Sequence, residues 1–130
     1  MTKPTERAYF QTALQQAEQK AAPYRHFLLR NSFSHELLTQ LSDLDLAPAC
    51  LCGLSGKREY HNDQRHYFTP EARAHSSAVA EVSNLFRSVE ILDAIEALTE
   101  TRLSGSYLRI EYEQDVDGFW LEPHTDLGVK

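Results

Sequence analysis

Apolar residues recur every three or four positions through Ile91, Leu92, Ile95 and Leu98. Past the turn residues Ser104-Gly105-Ser106 they recur every second position through Leu108, Ile110 and Tyr112. The first spacing is one face of an α-helix and the second is one face of a strand. A chain that makes this change late, after several helical stretches, is expected to be α+β, with helices gathered ahead of most of its sheet.

The earlier stretches fit that frame. Tyr9, Phe10, Ala13, Leu14 and Ala17 lie on one helical stripe, and the spacing predicts a helix from Thr5 to Ala22 stopped by Pro23. Tyr24 to Leu29 reads as a strand, and Ser34 as the N-cap of a helix near His35 to Leu44 that buries Leu37, Leu38, Leu41 and Leu44. Asp45 to Cys52 contains Pro48 and suits an edge strand or irregular extended chain. Lys57 to Tyr67 is crowded with charge and reads as a polar loop or strand ribbon. Thr69-Pro70-Glu71 is a helix start, with a Thr cap, Pro at the first helical position and an acid in the first turn, and the helix is expected to reach about Arg87. Ser88 to Thr99 is either its continuation or a second helix after a bend near Arg87 and Ser88.

Composition narrows the function. At 130 residues, with 42% hydrophobic and 25% charged side chains, the chain suits one soluble globular domain, 1–130. Within it, 1–103 forms a helical and strand scaffold and 104–130 the first sheet strands and a metal-capable motif. A net charge of -6 and a pI near 5.4 argue against nucleic acid as a partner. No apolar run approaches the roughly 20 residues that span a bilayer, so no membrane partner is expected. The first residues lack a signal-peptide core, and a cytoplasmic location is expected. Cys50 and Cys52 have no second pair to close a zinc site and read as buried or half-buried thiols. Neither a Gly-rich phosphate loop nor a nucleophile elbow occurs.

The chemistry concentrates near Lys130. Gln114 to Gly118 reads as an acidic turn, and Phe119 to Asp126 as returning extended chain that carries His124 and Asp126 two residues apart. In extended backbone that spacing puts both side chains on one face, with Cα atoms about 6.5 to 7 Å apart. An imidazole and a carboxylate so placed can share one cation. His61-Asn62-Asp63 has the same spacing but no alternating strand before it, and reads as solvated loop.

The run Tyr107-Leu108-Arg109-Ile110-Glu111-Tyr112, a short turn, and then Pro123-His124-Thr125-Asp126-Leu127-Gly128 resembles the 2-oxoglutarate and Fe(II)-dependent oxygenases of the prolyl-hydroxylase-like group. The resemblance covers about Tyr24 to Lys130. It implies an α+β fold of N-terminal helices packed on an incomplete double-stranded β-helix, or jelly-roll, sheet. It implies that His124 and Asp126 are two of three Fe(II) ligands and that Tyr112 contacts the cosubstrate 2-oxoglutarate. It further implies a dioxygenase reaction, with oxidative decarboxylation of 2-oxoglutarate coupled to hydroxylation of a small-molecule or peptide substrate.

In that family the third ligand and the basic residue for 2-oxoglutarate follow the His-X-Asp motif by tens of residues. The chain is therefore expected to be a truncated or N-terminal part of an oxygenase, inactive alone. His61, His66 and His75 are the upstream imidazoles available for a third ligand. The loop before Phe68 borders the substrate opening in relatives, so Arg58, Arg65 and Tyr67 are expected substrate contacts. Arg109 alternates away from Tyr112 and is expected to be a surface or second-sheet residue. Two other readings stand beside this one. One is a non-catalytic interaction domain that keeps the scaffold and forms a homo-oligomer through open strand edges. The other is a cupin-like metal protein with no use for 2-oxoglutarate.

Overall fold

The computed structural model of the protein describes residues 3–45, 66–113, 120, 122 and 123. It is α+β, and its described elements fall into two compact units.

The first unit contains residues 3–44 and 68–110. It opens with α1 (Glu6–Gln15), where the Thr5 hydroxyl accepts from the Ala8 N–H at 3.2 Å and Glu6 places an acid in the first turn. Phe10, Ala13 and Leu14 are its buried residues, as the stripe predicts. The helix is shorter than its sequence pattern suggests. It stops at Gln15, and Glu18–Lys20 forms β1, antiparallel to β2 (His26–Leu28), with Gln19 opposite Phe27. Glu18, Gln19 and Lys20 are all exposed, so no apolar stripe holds them on the helix axis, and strand pairing satisfies their backbone instead. The hairpin turns through a cis Ala22–Pro23 bond. Arg25 leaves the hairpin to donate to the Thr99 carbonyl at 2.5 Å and the Glu100 carboxylate at 3.0 Å.

Next comes α2 (His35–Ser42), capped by Ser34 as expected. Leu37 is buried and Leu41 packs beside it, but Leu38 is 46% exposed, which corrects the expected four-leucine face. One residue turns a helix by about 100°, so when one leucine of an adjacent pair faces the core the other is turned away from it.

The Thr69-Pro70-Glu71 start is also present, and it opens α3 (Pro70–His75). The single helix expected to reach Arg87 is broken at Ser76, whose extended backbone ends α3 and caps α4 (Ser77–Leu85). Serine competes for local backbone donors in this way, and here its hydroxyl accepts from the Val79 N–H at 3.3 Å. The bend left open at Ser88 is a helix boundary, because Ser88 precedes a separate α5 (Val89–Thr99). Glu100, in left-handed conformation, ends α5. Ser104-Gly105-Ser106 makes the predicted turn, with Gly105 at a φ of 83° and the Ser106 N–H donating to the Leu103 carbonyl.

Helix α4 is the centre of this unit. Leu85 joins Phe10, Leu14 and Ile91 in one buried cluster, while Ala78 and Val82 join Leu37 in another. Phe33 and Phe86 pack against both clusters. Phe10 meets them with ring centroids 5.8 Å from Phe33, stacked, and 5.0 Å from Phe86, edge-on. The buried Ser83 hydroxyl is satisfied by donating to the Val79 carbonyl at 2.7 Å.

The N-terminal ends of α1 and α2 are tied together. The Ser34 N–H donates to the Glu6 carboxylate at 2.9 Å, while the Ser34 hydroxyl accepts from the Leu37 N–H at 3.1 Å. Lys3 pairs with Glu36, and that hydrogen bond draws the Glu36 carboxyl below its ordinary pKa. Ser34 is 3% exposed, so its hydroxyl serves a donor that water cannot reach. Ser34→Ala is expected to lower stability by about 1–2 kcal/mol, in the upper part of the range for caps. Urea titration of both proteins checks this, and a Ser34→Thr variant, which keeps a neutral hydroxyl acceptor, should recover part of the loss.

In the second unit, residues 45–67 and 111–130, the described secondary structure is β3 (His66–Tyr67) paired antiparallel with β4 (Glu111–Tyr112). No helix among the described residues is long and apolar enough to cross a membrane.

Candidate functional site

Tyr112, expected from the resemblance to contact the cosubstrate, lies within the described residues. It sits on β4, half-buried, directly opposite His66 of β3. Tyr67 is opposite Glu111. Side chains facing each other across an antiparallel pair share a face, with Cβ atoms about 4.5–5.5 Å apart, and the next residue along each strand points the other way. His66 and Tyr112 therefore form one face of this pair, and Tyr67 and Glu111 the other.

That register separates two residues that the sequence groups around one site. Tyr67, an expected substrate contact, is 42% exposed on the face opposite Tyr112. His66, in the stretch read from the sequence as a polar loop or strand ribbon, is in a strand opposite Tyr112. The local signal for it was the period of two through His66 and Phe68, but the partner strand cannot be read from that period.

The strand expected from Tyr107 to Tyr112 is confined to Glu111 and Tyr112. In the first unit, Tyr107 is 98% and Leu108 47% exposed, while Ile110 packs against the Leu37 cluster and its carbonyl accepts from the Phe68 N–H at 3.0 Å. Alternation alone does not make a strand: a ladder of backbone partners must also run alongside it. Arg109 is exposed, in keeping with the surface reading.

His124 and Asp126, the two expected metal ligands, lie outside the described residues, as do Arg58, Arg65 and His61. The acidic turn from Gln114 to Gly118 and the segment from Leu46 to Cys52 do so as well. Just before the motif, Trp120 is 49% exposed, and Glu122 and Pro123 are exposed. His75, exposed at the end of α3, donates from Nδ1 to the Glu71 carbonyl at 2.8 Å. Among the described residues, no group of three or more His, Cys, Asp or Glu side chains could hold a metal ion.

The chain matches no family model, no curated protein and no solved structure.

Proposed function

We propose that the chain carries two iron ligands and the keto-acid contact of an Fe(II)- and 2-oxoglutarate-dependent oxygenase, and that β3 and β4 belong to an incomplete jelly-roll sheet. The observation that carries this reading is the order of Tyr112, a short acidic segment and then Pro123-His124-Thr125-Asp126. The half-buried position of Tyr112 on a paired strand supports it.

The donor chemistry fits the metal. Fe(II) takes neutral imidazole nitrogen and carboxylate oxygen, and a site of two imidazoles and one carboxylate on one octahedral face leaves the other face open for substrates. His124 and Asp126 would supply one donor of each kind. The bound metal would bring 2-oxoglutarate and dioxygen together, so that decarboxylation to succinate is coupled to hydroxylation of a C–H bond. The residues of this chain would hold and orient the reactants, with Tyr112 donating its hydroxyl to the keto acid.

Calorimetric titration tests the reading. The chain is expected to bind Mn(II), an iron surrogate, and to bind 2-oxoglutarate only once the metal is present. Metal binding with no effect on 2-oxoglutarate would support a cupin-like protein instead. Binding of neither would leave the interaction-domain reading.

A further inference from the structure

His66, one of three upstream imidazoles available for a third metal ligand, is the residue that the strand register places directly opposite Tyr112. Both side chains are half-buried, as is Glu111 on the other face, while Tyr67 is exposed. Their chemistry is complementary. A phenol donates one O–H, an imidazole carries at least one N–H in either charge state, and a carboxylate has two oxygens with about four lone-pair sites to accept them. Two donors anchored about 4.5–5.5 Å apart at Cβ can converge on one such group.

We propose that His66 and Tyr112 together form the carboxylate-binding pair for 2-oxoglutarate, and that Tyr67 takes no part in it. The proposal rests on the oxygenase reading above for the identity of the ligand, and on the register for the identity of the residue. Each donor makes a hydrogen bond to a charged acceptor, an interaction that corresponds to about a 10- to 100-fold change in affinity. Because both act on one group, their effects are coupled.

The test is titration of the whole chain with 2-oxoglutarate in the presence of saturating Mn(II). His66→Phe and Tyr112→Phe are each expected to weaken 2-oxoglutarate about 10- to 100-fold and to leave Mn(II) affinity unchanged. The double variant should lose less than the product of the two single effects, and Tyr67→Phe should bind as the parent does. If His66→Phe and His66→Gln both bind like the parent while Tyr112→Phe is weakened, the inference is overturned and the oxygenase reading stands. If the parent binds Mn(II) but no 2-oxoglutarate, both fall. Should His66→Phe fail to fold, the ring ¹⁵N resonances of His66 in the parent decide the matter. They should shift on addition of 2-oxoglutarate, and unmoved resonances under conditions where the ligand binds overturn the pairing.

Discussion

Phe10→Ala is expected to lower the stability of the folded chain by about 3–5 kcal/mol, the range for removing a buried aromatic ring. The residue is 7% exposed on α1, within the cluster of Leu14, Leu85 and Ile91. Its ring also meets Phe33 and Phe86, the two side chains that pack against both core clusters. Small domains have only about 5–15 kcal/mol of stability in all, so the variant should be largely destabilised. A urea titration measures the loss as a lower midpoint with an unchanged slope. Phe10→Leu, which refills much of the volume, should recover part of it. A loss below about 1 kcal/mol for the alanine variant would mean that the ring does not organise this core.

Removal of either proposed iron ligand should have the largest effect on binding. Loss of groups that merely orient metal ligands weakens metal affinity by about 10- to 100-fold. His124→Ala and Asp126→Ala each delete a donor outright and are expected to weaken Mn(II) binding by more than about 100-fold. In any form of the protein that turns over, succinate formation should be abolished. His61→Ala, which disrupts the other His-X-Asp spacing in the chain, is the control and should bind Mn(II) normally. Unchanged affinity in both His124→Ala and Asp126→Ala would falsify the oxygenase assignment.

The helical half was largely legible in the sequence because its signals are local. Ser34 and Thr69 cap helices as their positions suggest, and Phe10, Ala13 and Leu14 are buried as their spacing predicts. The errors came where an equally local signal met a stronger competitor. Glu18 to Lys20 left the predicted first helix to pair with β2, Ser76 divided the predicted third helix, and Tyr107 to Ile110 lay outside β4 despite their alternation. The candidate metal pair, His124 and Asp126, rests on sequence alone, because both residues lie outside those the structure describes.

The sequence by itself determined the α+β class, the caps and apolar stripes of the helices, and the residue types at the candidate site. Each of these depends on neighbours within one or two turns of the chain. Only the tertiary structure decided that α4 is shared by both core clusters, that Leu38 remains exposed, and that His66 rather than Tyr67 shares a face with Tyr112. Those outcomes depend on pairing between residues far apart in sequence, and a shift of one position in strand register would reverse the faces of His66 and Tyr67 without altering any local signal.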